Sequence, residues 1–126
     1  GRPEFEATLV RYGIAALREV SSPTVTAMYR IAIADADTST EVAQALDTAG
    51  RATTRALLVD IMRRAQSEDI LGGDDPAVLA RSYASILWGD LLLRILLKVV
   101  KPPTEAEAEE RARAAVAALF KLHPPA

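Results

Sequence analysis

The chain has 126 residues, half of them hydrophobic, with 15 basic and 17 acidic side chains, one His and no Cys. That length is one ordinary domain; the absence of Cys excludes disulfides, thiolate metal sites and a cysteine nucleophile, and a lone His123 beside the C-terminus all but excludes a His-based triad. A net charge of −2 and a pI near 5.4 argue against this chain gripping nucleic acid unaided, because such affinity needs clustered Lys and Arg.

Ala and Leu together supply 39 of the 126 residues, a vocabulary of helices rather than strands. Apolar periodicity, punctuated by the prolines, predicts a single all-α domain over residues 1–126, a bundle of about five helices. The first predicted helix, over about 4–20, carries Phe5, Leu9, Tyr12, Ala16 and Val20 at helical spacing. Ser22-Pro23 reads as N-cap and first helical residue of a second helix, whose apolar face is Val25, Met28, Tyr29, Ala32 and Ile33. It is expected to end near Asp37.

Thr38 to Glu41 offers a capping box for a long third helix. Val42, Leu46, Ala49, Thr53, Leu57, Ile61, Met62 and Ala65 line its face, and Gly72-Gly73 is its expected stop. Asp75-Pro76 repeats the cap device and opens a fourth helix expected to reach Val100. After Pro102-Pro103, a second capping box (Thr104 with Glu107) opens a fifth helix ending near Leu122. No alternating run bounded by hairpin turns appears.

The fourth helix is too apolar for the rim of one small domain. From Ile86 to Val100 its charged side chains, Asp90, Arg94 and Lys98, form one narrow stripe. A membrane span would need roughly 20 uninterrupted apolar residues, so that reading fails. The fifth helix lines one side with Ala108, Ala112, Ala115, Val116, Leu119 and Phe120, and offers Glu107–Arg111 and Glu109–Arg113 as i, i+4 pairs. Two such helices are expected to pair with the same two of a twin, giving a dimeric four-helix seam. The expected seam residues are Trp88, Leu91, Leu92 and Ile95 with Ala112, Val116, Leu119 and Phe120.

Gly13 and Gly89, inside predicted helices, read as points of close helix packing, and Gly50 as a bend. Asp35 with Asp37, and Asp74 with Asp75, lack the spacing of a calcium loop, and no metal or cofactor is expected. Asp35, Asp60 and Asp90 stand without a paired acid, nucleophile or cofactor motif, so an enzyme is not expected.

The segment Trp88-Gly89-Asp90-Leu91-Leu92-Leu93-Arg94, then Pro103 to Glu107, then Ala114 to Phe120, resembles the end of a TetR-family transcriptional regulator. Tyr29 to Ala36, after the Ser22-Pro23 break, resembles the family's Leu-x-x-Ala-Glu segment, with Asp35 in place of Glu. The resemblance covers the chain in helix order and breaks. A helix-turn-helix of about fifty residues, the family's DNA-binding head, is not found in it. The resemblance therefore implies the regulatory domain alone, contacting DNA only through that head. The chain starts without Met, and residues 1–3 could be a processing or cloning remnant. It also implies a homodimer and a pocket for a small effector that releases the head from DNA.

Such a pocket needs apolar walls with a few polar handles. Tyr12, Met28, Tyr29, Leu57, Ile61, Met62, Tyr83 and Leu87 are the candidate lining, while each alone reads as ordinary core. No cluster of Arg or Lys is expected to face it, so the effector is expected to be apolar or aromatic. No leader or membrane segment is apparent, and a cytoplasmic location is expected. The alternative is a structural helical module that dimerises or docks a partner without any ligand.

Overall fold

The computed structural model describes residues 1–73 and 75–126, and every described regular element is helical. Asp74, half of one acidic pair weighed above, lies outside the described residues. The helices are α1 (Arg2–Val20), α2 (Pro23–Ala34), α3 (Glu41–Ala45), α4 (Ala52–Ser67), α5 (Pro76–Trp88), α6 (Leu91–Leu96) and α7 (Glu105–Leu122). A π-helical turn over Leu46–Arg51 joins α3 to α4 without a break.

Three of the predicted starts form as the residues dictate. The Ser22 hydroxyl accepts from the Val25 amide, and the Asp75 carboxylate accepts from the Ala77 amide at 2.9 Å. At α7 the capping box is complete. Thr104 Oγ1 accepts from the Glu107 amide at 3.2 Å, and Glu107 Oε1 accepts from the Thr104 amide at 2.9 Å. The Thr104 amide, and after it the Thr104 hydroxyl, hold the Glu107 carboxyl below the usual range. Thr38 does not cap α3. Its hydroxyl donates to Asp35 O, and Thr40 takes the N-cap position, its hydroxyl accepting from the Gln44 side chain at 3.1 Å rather than from a backbone amide.

The third and fourth predicted helices end early, each for a local reason. α4 stops at Ser67 rather than at Gly72-Gly73, because Asp69 adopts the left-handed conformation (φ 57°). Ile70 N then donates to Ala65 O at 2.8 Å and Asp69 N to Gln66 O at 3.1 Å, which is a Schellman closure. Glycine is the usual residue there. Asp69→Gly is therefore expected to raise stability by about 0.5–1 kcal/mol, read as a higher urea midpoint at unchanged slope. Gly72 and Gly73 serve the C-terminal tail instead. The Gly72 amide donates to His123 O at 3.1 Å, and a Cβ on Gly72 would collide with Pro124 O.

The predicted fourth helix is two helices. Gly89 sits at φ 49° and ψ −125°, which no helix continues through, so α5 ends at Trp88 and α6 starts afresh. Arg111 of α7 donates to Leu87 O at 2.6 Å and to Trp88 O at 2.9 Å, satisfying carbonyls that the break orphans. This replaces the Glu107–Arg111 pair expected from spacing. The Glu109–Arg113 pair forms, with Arg113 Nη2 2.8 Å from the carboxylate.

The core sits between α1, α4, α5 and α7, where α7 lies along α1 and α5 packs against both α4 and α7. Leu9, Leu17, Met62, Tyr83, Ala112 and Leu119 lose all solvent contact. Phe5 meets Phe120 edge-on at 5.9 Å, and the Arg2 guanidinium caps the Phe120 ring 3.9 Å from its centre. Outside this core, α2, α3 and the π turn form an arm. α2 touches α3, α6 and α1, but its buried side chains are only Thr26 and Ala32, and α3 with the π turn buries none.

Candidate effector-binding and dimerisation surfaces

Five of the eight candidate lining residues come together. Met62, Tyr83 and Leu87 belong to the core cluster, with Tyr12 and Ile61 packed on its edge. The Tyr12 and Tyr83 rings lie 6.2 Å apart. The Tyr83 hydroxyl donates to Leu9 O at 2.8 Å, deep in the core, while the Tyr12 hydroxyl donates to Thr54 O at 3.3 Å nearer the surface. Met28 and Tyr29 stand half-buried on the arm, and Leu57 is 56% exposed on α4. In the sequence Leu57 shares a stripe with Val42 and Leu46. The π turn accommodates an extra residue and shifts that register, so Leu58 points inward instead.

Burial pushes the Tyr83 phenol well above the ordinary tyrosine range, and its proximity to Tyr12 adds to the shift. Burial raises the Tyr12 phenol too. Both groups stay protonated in the folded state at a pH where an unfolded chain ionises them, near pH 10. Stability linked to them is therefore fully present below about pH 10 and falls as pH rises toward the folded values. Urea titrations between neutral and alkaline pH should show this loss, and Tyr83→Phe should shrink it.

The expected seam residues are placed differently. Ala112, Val116, Leu119 and Phe120 are 0–7% exposed because they face α1 and α5 of the same protomer. Ala112 opposes Gly13, and Phe120 opposes Phe5. They have almost no surface to offer a twin, and the seam drawn through them is corrected on that ground. Ile95 is 3% exposed, whereas Trp88, Leu91 and Leu92 are half-buried at the corner between α5 and α6. What α5 and α7 turn outward is a stripe of Val78, Arg81 and Ser85 and a stripe of Glu110, Ala114 and Ala117.

Two surface clefts lie away from the tyrosine pair. One, of about 510 Å³, runs between α1 and α7 past Glu6, Val10, Arg113 and Ala117. The other, of about 520 Å³, separates the start of α2 from the end of α6 and the loop beyond it. Arg30, Lys98 and Lys101 line the second, and the sequence reading singled out neither the cleft nor Arg30 and Lys101. The available signal was the lack of any acidic residue in 20–34 and 91–104.

The family model described as the C-terminal domain of AefR-like transcriptional repressors, within the TetR group, matches residues 7–122. The chain belongs to the TetR family. A TetR transcriptional regulator from Agrobacterium tumefaciens superposes with a TM-score of 0.86 at 22% identity, over 98% of this chain and 62% of that one. A TetR-family regulator structure from Mesorhizobium loti gives 0.81 at 18% identity, over 94% of this chain and 58% of that one. At that identity the likeness concerns the fold, and the chain spans about three-fifths of each neighbour. No curated protein matches the sequence. Among the described residues, no helix is long and apolar enough to cross a membrane.

Proposed function

We propose that this chain is the effector-sensing and homodimerising domain of a TetR-like repressor, responding to a small apolar or aromatic effector. The observation that carries this reading is the division into a close-packed core and a lightly attached arm. An element held by few buried side chains can shift at low cost, which a sensor needs. In this reading the effector seats between the Tyr12 and Ile61 edge of the core and Met28 and Tyr29 of the arm. Exposed Leu57, on the same helix as Ile61, would add apolar surface to that seat. Binding favours one arm position, and a coupling of about 1–3 kcal/mol would change DNA affinity usefully in a chain that carries the DNA-binding head.

For the dimer, the outward stripes of α5 and α7 are the proposed seam. Ala114, Ala117 and Ser85 are small enough for close helix approach, and Val78 is the apolar contribution from α5. A thermal-shift screen of apolar and aromatic compounds tests the sensing role. A hit should raise the melting temperature of the chain, and its shift should vanish in Leu57→Glu and Tyr29→Ala, whose own melting stays close to the parent's. A screen without hits, over a dimer that forms normally, would instead support a ligand-free dimerisation module.

A further inference from the structure

We propose that the cleft between α2 and the α6–α7 connection binds a small amphipathic organic anion, an acid head group on an apolar body. The cleft shares no lining residue with the tyrosine edge, although α2 borders both, and it is argued from its own side chains alone.

Charge is the first argument. Residues 20–34 and 91–104 carry four basic side chains and no acidic one, in a chain whose remaining residues carry 11 basic and 17 acidic. The fold brings these two acid-free segments together, and the cleft between them receives Arg30, Lys98 and Lys101. Among the described residues none of the three makes an ion pair, while Arg2, Arg18, Arg63 and Arg113 each find a carboxylate. A local excess of positive charge in a concave wall raises the concentration of anions there.

Orientation is the second. Arg30 Nε donates to Leu96 O at 3.0 Å and Nη2 to Ile95 O at 3.1 Å, so the carbonyl end of α6 fixes the guanidinium plane. Two of its five N–H groups are used, and the others have no protein partner among the described residues. A planar fork with spare donors, already held in place, suits a carboxylate or phosphate oxygen pair. Lys98 closes α6 as the left-handed residue of a Schellman turn (φ 60°). Its amide donates to Ile95 O at 2.9 Å, and the Val99 amide donates to Arg94 O at 3.1 Å. Glycine is the default at that position, so a lysine there puts a cation on the cleft wall at a conformational cost.

The apolar body is the third. Pro23, Ile95, Val99, Val100 and Pro102 complete the wall, and Val99 is 63% exposed. The volume, about 520 Å³, falls in the range of small-ligand sites. The hydroxyls of Ser21 and Thr26 already donate to backbone carbonyls, which leaves head-group recognition to the cations.

The test titrates the chain with octanoate, neutral octanamide and inorganic phosphate, following Val99 and Val100 methyl signals by NMR. Octanoate should bind saturably, with methyl shifts confined to this cleft, and more weakly as salt is raised. Octanamide and phosphate should each bind at least about tenfold more weakly. Lys98→Gly with Lys101→Gln should cost a further tenfold or so. Because Lys98→Gly also relaxes the turn, that loss would come without destabilisation. No saturable octanoate binding, equal binding of octanamide or of phosphate, or an unchanged affinity in the double variant would each overturn the proposal. So would capture of duplex DNA through the same lysines without any octanoate response.

Discussion

Gly13→Ala is expected to destabilise the domain by about 2 kcal/mol, although Ala is the better helix former by roughly 1 kcal/mol. A Cβ at this position would collide with the Tyr83 hydroxyl and lie 3.0 Å from the Ala112 Cβ and 3.3 Å from Leu87 Cδ1. Tyr83 cannot swing aside, because it is fully buried and donates to Leu9 O at 2.8 Å. The added methyl must push α5 and α7 away or break that bond, and overpacking of this kind costs about 1–3 kcal/mol before the lost hydrogen bond is counted. Tyr83→Phe alone should cost about 1 kcal/mol, since it removes one buried hydrogen bond. Combined, the two changes should cost clearly less than their sum, because the phenylalanine leaves room for the methyl. Urea denaturation of the four proteins in the cycle measures this. A Gly13→Ala variant more stable than the parent would mean that α1 does not approach α5 and α7 this closely.

Arg111→Ala is expected to cost about 2–3 kcal/mol, the usual effect of losing charge-assisted hydrogen bonds to partly buried carbonyls. The two carbonyls it serves, on Leu87 and Trp88, lie at the end of α5 beside Gly89. Without the guanidinium the corner between α5 and α6 loses its tie to α7. Arg111→Lys should recover only part of the loss, because a single ammonium cannot reproduce the planar fork. Trp88 is the sole tryptophan, so its fluorescence reports on this corner directly. A red-shifted emission in Arg111→Ala, partly restored in Arg111→Lys, is the expected pattern. Unchanged emission and stability would mean that water satisfies these carbonyls equally well.

Much of the fold is legible in the sequence because its signals are local. Ser22-Pro23, Asp75-Pro76 and the Thr104–Glu107 box each act within four residues, and each forms. The buried stripe of α7 is also visible, since Ala108, Ala112, Ala115, Val116, Leu119 and Phe120 are all in the core. Periodicity says which face is buried but not against what. The stripe reads equally well as a face for a twin, and its partners, Phe5, Leu9 and Gly13 of α1, lie about a hundred residues away in sequence. The break at Gly89 was hidden for a related reason. An apolar run reads as one helix until the residue that caps the break, Arg111, is brought to it by the fold. Asp69 and Lys98 hold left-handed positions where glycine is the usual signal, so neither helix end announced itself. Of the residues grouped from the sequence around the tyrosine pair, Met62, Tyr83 and Leu87 lie inside the core and Tyr12 and Ile61 on its edge, while Met28 and Tyr29 stand on an arm that no local pattern separates from the core.

Native mass spectrometry of the purified chain, run beside its Ala114→Arg/Ala117→Glu variant with and without a compound from the thermal-shift screen, tests the central claim most directly. A sensing dimer predicts a main species at twice the 13.5 kDa chain mass that takes up the compound and loses it on denaturation. The variant should fall to the single-chain mass with its helical circular dichroism unchanged. A parent chain that stays monomeric at micromolar concentration and takes up no compound would contradict the account.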